Sequence, residues 1–427
     1  MTLAVFLISL CGAMALGIPV AISLLICGIA LMFHLDQFDT QILASNLMDG
    51  ADNFPLMAIP FFILAGELMN AGGISKRIIN FAMALVGHIK GGFGYVAIIA
   101  SVIFAGLSGS AVADTAALGA ILIPMMAQAG YNRGRSGALI ASAGIIAPIM
   151  PLSIPMIVFG VTAGVSIPKL FMSGIVPGLI LAVFLAVAWA WLVRRDDTRT
   201  EPRRSFGEIL VAARGAAWAF VLPVIIIVGL RGGIFTPTEA AAIAAWYALF
   251  VGVFVYRELK PRDLARVLVS AAKTTSVIML LAAAAMVSSW LITVANIPEQ
   301  ITDLLKPFMG NKIALMFAIN ILVLLVGTAM DVMPTILILT PVLMPIVKMA
   351  GIDPVYFGFM FVFNNCIGLL TPPVGTVLNV AAGVGKISMD DIIKSVMPFM
   401  WIEILLLLLL TVFPDIVIVP MQFLTHR

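Results

Sequence analysis

The stretches FAGLSGSAVAD, residues 104–114, and GTAMD, residues 327–331, decide the fold of this chain, because they occupy matching places in an internal repeat. When the sequence is compared with itself at an offset of 221 residues, six glycines or prolines coincide without a gap. The pairs are Gly106 with Gly327, Pro124 with Pro345, Gly130 with Gly351, Pro151 with Pro372, Gly164 with Gly385 and Pro177 with Pro398. Random matching would give about one such coincidence, so we interpret the pattern as a genuine repeat. The matched residues are helix breakers, and the two halves therefore share their interruptions.

The composition is typical of a membrane protein. Hydrophobic residues make up 62% of the 427 residues and charged residues 11%, and the mean hydropathy is +1.16, far outside the range of soluble domains. Apolar runs such as Leu3–Phe33, Leu170–Val193 and Ile392–Phe413 are long enough to cross a bilayer. We expect the first run to be a transmembrane helix, because it is too long for a signal-peptide core. The net charge of +3 lies in loops and does not indicate a nucleic-acid partner.

Charged residues in the loops predict the topology. The loop before the first repeat is acidic, the loop after it is basic, and the second repeat shows the reverse order. Because basic loops stay in the cytoplasm, the two repeats are predicted to be inverted, with the N-terminus cytoplasmic and the C-terminus periplasmic. The charges are Asp36, Asp39, Asp49 and Asp52 before the first repeat; Arg194, Arg195, Arg199, Arg203 and Arg204 after it; Arg257, Lys260, Arg262 and Arg266 before the second; and Arg427 in the tail.

The predicted fold is an all-α polytopic membrane protein of about eleven spanning segments, with four regions. Residues 1–53 form an N-terminal scaffold helix and a periplasmic loop, and 54–193 form the first repeat. Residues 194–274 hold basic cytoplasmic loops and two connecting transmembrane helices, and 275–427 form the second repeat.

Each repeat is predicted to hold a re-entrant helical hairpin and a broken helix. The first hairpin, at about 93–130, has basic residues at both ends, which places both ends on the cytoplasmic side. Its broken helix covers about 136–165. The second repeat has the mirror set, a periplasmic-side hairpin at about 312–350 and a broken helix at about 354–384.

The interruptions predict an ion and substrate site. Unpaired backbone at membrane depth costs several kcal/mol per group, so such breaks persist where protein or a polar cavity satisfies them. Small oxygen-bearing side chains suit an alkali cation, and helix N-termini at the breaks suit an anionic substrate group. The candidate residues are Gly106, Ser108, Ser110, Pro148, Pro151, Gly327, Thr328, Asp331, Asn364, Asn365, Thr371, Pro372 and Gly375, with sodium expected at Ser108, Ser110, Thr328, Asp331 and Thr371.

Several of these residues also fit structural roles. Ser108 and Ser110 could allow close helix packing, and Asp331 could cap the returning helix, a role compatible with ion binding. We expect Asp114 to cap a helix or stabilise its first turn and not to bind an ion. Three further carboxylates are expected to form local pairs or to face a subunit interface, namely Glu67, Glu239 and Glu403.

The segments FAGLSGSAVAD and NNCIGLLTPPVGTVLN, residues 104–114 and 364–379, resemble those of the large membrane subunit of the tripartite ATP-independent periplasmic (TRAP) transporters. The resemblance covers essentially the whole chain. It implies a sodium-coupled elevator carrier of the ion-transporter superfamily in the bacterial inner membrane, with an organic acid as substrate. It also implies two partners, a small four-helix membrane subunit on a separate chain and a periplasmic substrate-binding protein.

Other classes of protein fit less well. Gly106–Ser110 reads GLSGS, but no histidine lies inside an apolar span to serve as the base of an intramembrane serine protease. An ATP-driven pump would need a phosphate-binding loop, and the sequence has no G-x-x-x-x-G-K-[ST] motif. A channel does not need inverted hairpins around one site. The alternative that stays open is a stand-alone cation-coupled anion carrier of the same superfamily. We therefore expect no enzyme activity and no cofactor apart from sodium as the coupling ion.

Overall fold

The structure is a computed structural model that describes residues 2–194, 196, 198–372 and 374–425, and its regular secondary structure in those ranges is helical. Arg195 and Arg427, on which the topology prediction partly depends, lie outside them. The α-helices are α1 (Thr2–Ala15), α2 (Val20–His34), α3 (Thr40–Ala51), α4 (Ala58–Ala71), α5 (Ile74–Val86), α6 (Gly92–Ser108), α7 (Ala111–Gln128), α8 (Arg133–Gly144), α9 (Ile154–Ala163), α10 (Ile167–Val193), α11 (Phe206–Arg231), α12 (Pro237–Phe250), α13 (Pro261–Val294), α14 (Ile297–Leu305), α15 (Lys312–Ala329), α16 (Val332–Met349), α17 (Pro354–Gly368), α18 (Thr376–Gly385), α19 (Met389–Val412) and α20 (Asp415–Thr425).

The helices have the lengths and composition of a polytopic membrane protein. Within the described ranges, nine helical segments are long and apolar enough to cross a membrane, and α8 with α9 form a further pair bent by 40°. The shorter apolar helices α1, α2, α6, α18 and α20 fall below that length. The predicted all-α membrane fold is therefore confirmed.

The N-terminal region differs from the prediction of one helix and one loop. The run Leu3–Phe33 is divided into α1 and α2 at Gly17, which has a φ of 79°, and at Pro19, which precedes α2. By the rise of an α-helix, α1 and α2 are about 21 and 22 Å long, shorter than a bilayer core, and they pack against each other. The acidic loop contains α3, whose N-cap is Asp39. The hydropathy of the run predicted a single helix, although Gly17 and Pro19 are both residues typical of turns.

The predicted boundary at residue 274 falls inside α13, a single helix of 34 residues. This helix packs along α2, α3 and α4, and its Ser288 hydroxyl donates to the Leu24 carbonyl oxygen (2.9 Å). Ser270 on the same helix donates to a carboxylate oxygen of Glu67 on α4 (3.0 Å). Helix α13 therefore belongs as much to the connecting region as to the second repeat.

Corresponding helices of the two repeats make corresponding contacts. Helix α7 of the first repeat packs against α18 of the second, and α16 of the second packs against α9 of the first. Likewise α8 packs against α19 and α17 against α10. The ring of Phe159 on α9 also lies 6.1 Å from the ring of Phe357 and 5.8 Å from that of Phe361, both on α17. The core thus joins each hairpin to the second half of the other repeat's broken helix.

Candidate cation site at two helix interruptions

The first hairpin turns at a glycine that no other residue could replace without rearrangement. Gly109 follows α6 with a φ of 62°, in the left-handed region that favours glycine. A Cβ added at Gly109 would lie 3.0 Å from the carbonyl carbon of Leu152 and 3.1 Å from the Cα of Ser153. The end of the hairpin is therefore pressed against the interruption between α8 and α9. We call residues 108–114 the first tip and residues 145–153 the first break.

A buried carboxylate lies at the first tip. Asp114 is fully buried, and its Oδ1 accepts a hydrogen bond from the Ser108 hydroxyl. Its Oδ2 has no partner among the described residues. Ser110 is the N-cap of α7, because its hydroxyl oxygen accepts from the backbone N–H of Ala113 (3.3 Å). Asp114 therefore lies in the first turn of α7 without capping it, and one of its carboxylate oxygens is buried and free at the first tip.

The first break supplies a backbone turn and a further helix start. Pro148 and Pro151 are buried within it, and the Ser153 hydroxyl donates to the carbonyl oxygen of Pro148. The same hydroxyl oxygen accepts from the N–H of Met156 (3.1 Å) and caps α9. Leu152 has a φ of 76°, an uncommon conformation for a residue with a side chain. The structure therefore brings the predicted residues Ser108, Ser110, Pro148 and Pro151 into one neighbourhood.

The second hairpin turns at Asp331, which is the N-cap of α16. Its Oδ1 accepts from the backbone N–H of Val332 (2.7 Å), and its backbone oxygen accepts from the hydroxyl of Thr335 (2.8 Å). Asp331 is exposed. Thr328 donates its hydroxyl to the carbonyl oxygen of Leu325 (2.8 Å). We call residues 327–335 the second tip.

Two glycines let the second tip approach the end of α17. A Cβ added at Gly368 would lie 2.8 Å from the Cα of Gly327, so position 368 cannot carry a side chain unless the backbone shifts. A Cβ at Gly327 would lie 3.7 Å from the Oδ1 of Asn365. The second tip therefore packs backbone against backbone on the start of the second interruption, residues 369–375, which we call the second break.

Two asparagines at the end of α17 are buried, each with one unpartnered oxygen. The amide nitrogen of Asn364 donates to the backbone oxygen of Asn320 (2.8 Å) and to its side-chain oxygen (3.2 Å). The amide nitrogen of Asn365 donates to the carbonyl oxygen of Phe361 (2.8 Å). The Oδ1 atoms of both asparagines accept no hydrogen bond within the part of the chain that the structure describes. Asn320, which no sequence motif singled out, is the buried partner that orients Asn364.

The remaining predicted residues lie along the second break or away from both tips. The Thr371 hydroxyl donates to the carbonyl oxygen of Ile367 (2.9 Å), and Pro372 follows in the turn. Gly375 is the N-cap of α18 and has a φ of 45°. Gly106 faces α11 instead, because a Cβ there would lie 3.1 Å from the Cγ of Pro223.

The arrangement suits a cation and an anionic group together. Four helices, α7, α9, α16 and α18, begin at the two tips and the two breaks, and their N-terminal dipole ends carry partial positive charge. Buried oxygens without a hydrogen-bond partner among the described residues occur at the first tip, on Asp114, and at the end of α17, on Asn364 and Asn365. Oxygen ligands of this kind bind hard cations. Within the described residues, no cluster of three or more histidine, cysteine or carboxylate side chains could hold a transition metal.

Comparisons with known proteins identify relatives along the whole chain. The family model described as tripartite ATP-independent periplasmic transporter, DctM component, matches residues 7–416. The chain is 53% identical over 423 residues to the 2,3-diketo-L-gulonate TRAP transporter large permease protein YiaN of Escherichia coli, covering 99% of this chain and 100% of that protein. It is 38% identical over 404 residues to the sialic acid TRAP transporter large permease protein SiaM of Vibrio cholerae, covering 95% of each.

A solved structure shares the fold. The YdaH transporter of Alcanivorax borkumensis is similar to this chain with a TM-score of 0.63 at 14% sequence identity, and the match covers 87% of each chain. At that identity the likeness concerns the fold alone.

Proposed function

The chain belongs to the family of the DctM component of tripartite ATP-independent periplasmic transporters, and from this premise we propose that it is the large subunit of a sodium-coupled carrier for an organic acid. The family and the named relatives are transport permeases and not enzymes, so the prediction of a non-enzymatic transport protein is confirmed. The relatives named for 2,3-diketo-L-gulonate and sialic acid carry carboxylate substrates, and we extend a carboxylate substrate to this chain.

The observation that carries sodium coupling is the pair of oxygen-rich interruptions. At the first tip, the hydroxyls of Ser108 and Ser110 would hold one cation together with the free Oδ2 of Asp114, a residue that the sequence analysis did not assign to ion binding. At the second tip, Asp331 and Thr328 would hold another, together with Thr371 of the second break. Sodium bound there would supply the positive charge that a substrate carboxylate needs, because no lysine or arginine lies in the described residues of the tips and breaks.

The contacts between the two repeats also suggest which helices move together during transport. We propose that α6–α9 and α15–α18, the two hairpins and the two broken helices, form a transport domain that moves as an elevator. Helices α2, α3, α4, α12 and α13 pack on one another and would form the fixed scaffold, with α5 and α14 as arms at the membrane surface. Under this proposal the two repeats are inverted and the hairpins enter the membrane from opposite sides.

Partners and location complete the proposal. By analogy with its family, the chain works with a small four-helix membrane subunit and a periplasmic binding protein in the bacterial inner membrane, with its N-terminus in the cytoplasm and its C-terminus in the periplasm. Cysteine labelling from each side tests the orientation: residues next to Arg199 should react from the cytoplasm and residues next to Asp49 from outside. Labelling of both from the same side would contradict the inverted repeats.

Uptake into proteoliposomes tests the function. The vesicles hold this chain and the small subunit, the binding protein is added outside with a radiolabelled organic acid, and a sodium gradient is imposed. We expect saturable uptake only with all three proteins and with sodium. Transport of free substrate by this chain alone would support the stand-alone carrier instead, and uptake without sodium would contradict the coupling.

A further inference from the structure

A second buried carboxylate lies away from both tips. Glu403 on α19 is fully buried, and neither of its carboxylate oxygens has a hydrogen-bond partner among the described residues. It forms none of the salt bridges in that part of the chain either. An unpaired carboxylate anion removed from water costs several kcal/mol. The group therefore needs either a positive partner or a bound proton.

The surroundings of Glu403 come from both broken helices. The hydroxyl of Ser142 on α8 faces the carboxyl group, and it too is fully buried without a partner among the described residues. The buried thiol of Cys366 on α17 is close enough to interact electrostatically with Asp331 of the second tip and, to a smaller extent, with Glu403. Met400, one turn earlier on α19, contacts the Thr371 hydroxyl of the second break (3.7 Å). Glu403 thus lies between the ends of α8 and α17, where the two broken helices are interrupted.

The charged groups on the helices packed around α19 lie at helix ends or have other partners. Arg135 lies in the first turn of α8, about 10 Å along the helix from Ser142, and pairs with Asp196 (2.5 Å). The Tyr356 hydroxyl on α17 donates to the Leu410 carbonyl oxygen (3.0 Å). The remaining ones are Arg133 at the start of α8, Lys169 at the start of α10, Lys312 at the start of α15, Asp353 before α17, Lys386 after α18 and Asp415 at the start of α20. Among the described residues, the groups that interact with Glu403 are the Ser142 hydroxyl and the Cys366 thiol, and Asp331 of the second tip interacts with the same thiol.

These partners suit a proton better than a metal ion. A hard cation of calcium type takes six or more oxygen ligands, whereas the side-chain oxygen that interacts with the carboxyl group is the Ser142 hydroxyl. A protonated carboxyl group has one O–H donor, and a serine hydroxyl can accept it while still donating its own hydrogen. One carboxyl and one hydroxyl therefore form a complete pair as soon as a proton is present.

We propose that Glu403 is a proton-binding site of this permease, separate from the sodium clusters at the tips, and that it releases and regains its proton during net transport. With the proton bound, the group is a neutral carboxylic acid paired with Ser142. When the breaks rearrange and water enters, the O–H bond ionises, the proton passes to water, and a carboxylate remains. This goes beyond the sodium coupling proposed above, because it makes net uptake depend on pH.

Replacement of Glu403 by glutamine tests the proposal, because glutamine keeps the volume and cannot titrate. Net uptake and substrate exchange are measured in proteoliposomes of the complete transporter over a range of pH at a fixed sodium gradient. We expect net uptake by the wild type to fall by about tenfold for each pH unit beyond the pH optimum. Glu403→Gln should lose that pH dependence and most of its net uptake. Glu403→Gln should retain substrate exchange, because in exchange the transport domain moves in both directions with substrate bound and needs no proton release.

Two controls separate this result from others. Glu67→Gln alters a half-buried carboxylate on α4 that already accepts from Ser270 (3.0 Å), and it should leave the pH profile unchanged. The sodium concentration for half-maximal uptake should be the same in Glu403→Gln as in the wild type. A change in sodium dependence in Glu403→Gln would contradict a site separate from the tips.

A wild-type pH profile and normal net uptake in Glu403→Gln would overturn the proposal, because the carboxyl group would then be permanently neutral. If glutamine lowers the yield of assembled transporter, Glu403→Asp carries the test, since it keeps a titratable group at a shorter reach. A shifted pH optimum in Glu403→Asp supports the proton site. An unchanged optimum contradicts it, as would net uptake by the wild type that does not vary with pH.

Discussion

The two hairpin tips have the same architecture, but they carry their negative charge at different depths. At the 221-residue offset, Ser110 corresponds to Asp331, and both are N-caps of the returning helix. Asp114 corresponds to Thr335, and both are fully buried. The first tip therefore holds its carboxylate inside the protein against Ser108, and the second tip holds it exposed at the helix start. Because water screens an exposed charge, the two tips should differ in their affinity for a cation, although each carries one carboxylate.

The tips also face different neighbours. A Cβ at Gly66 on α4 would lie 3.6 Å from the Cα of Ser108, and a Cβ at Gly106 would lie 3.3 Å from the Cβ of Pro223 on α11. The first hairpin thus borders α4 of the proposed scaffold and α11, which packs on α5 and α12. The second tip packs on Gly368 within its own repeat. The second hairpin meets the scaffold through α16, which packs against α13. Movement of the transport domain should therefore change contacts at both hairpins, and at the first one where α6 meets α4 and α11.

The largest expected effect comes from locking the first hairpin to α11. The separation of 3.3 Å between a Cβ placed at position 106 and the Cβ of Pro223 is close to the disulfide range of about 3.5–4.5 Å. Oxidised Gly106→Cys/Pro223→Cys should abolish uptake in proteoliposomes, and reduction should restore it. The matched control is Gly252→Cys/Leu259→Cys, at 3.4 Å within the segment that joins α12 to α13, which should stay active when oxidised. Normal turnover of the fully cross-linked pair would argue for local gating.

The second-largest effect on transport is expected at Asp114, the buried carboxylate of the first tip. Asp114→Asn keeps the shape and an acceptor for the Ser108 hydroxyl but removes the charge. Loss of a charge-assisted interaction of about 1.5–3 kcal/mol should raise the sodium concentration for half-maximal uptake by about tenfold or more. The measurement is a sodium titration of uptake, with membrane yield as the control for folding. An unaltered sodium curve would remove Asp114 from the cation site.

A smaller effect is expected at the second tip. Asp331→Asn keeps an oxygen that accepts from the N–H of Val332, so the cap persists while the exposed charge is lost. The sodium half-saturation should rise by about threefold, because exposed charge pairs contribute about 1 kcal/mol or less. Asp331→Ala, which also loses the cap, should lower the membrane yield in addition. If Asp331→Asn raises the sodium half-saturation more than Asp114→Asn does, the exposed carboxylate contributes more than the buried one, and the comparison of the two tips is wrong.

The smallest effect is expected at Thr371. Its hydroxyl already donates to Ile367 (2.9 Å), so Thr371→Ala removes one neutral oxygen from the cluster and should change the sodium half-saturation by about twofold. The same sodium titration measures it. If Thr371→Ala raises the sodium half-saturation more than Asp331→Asn does, the second break, and not the second tip, holds the ion.

The sequence predicts the interruptions better than the contacts between them. Glycines and prolines mark both tips and both breaks, because these residues disfavour helix wherever they stand. The pairing of Ser108 with Asp114 depends on how α6 ends, and the partner of Asn364 is Asn320, 44 residues away. Neither local propensity nor spacing encodes such tertiary neighbours. The expectation that Glu403 forms a local pair or faces an interface fails for the same reason, because its burial arises from helices far apart in sequence.

The exchange of contacts between the repeats has a consequence for biosynthesis. Helix α9 packs against α16 and α7 against α18, so the first half of the chain leaves the ribosome without the surfaces that cover it. Contacts between residues far apart in sequence form late and slow the search for the native state. The broken helix of the first repeat therefore stays in the membrane without its α16 contacts until nearly the whole polypeptide has been synthesised. A chain truncated before α15 should accordingly be inserted and then degraded.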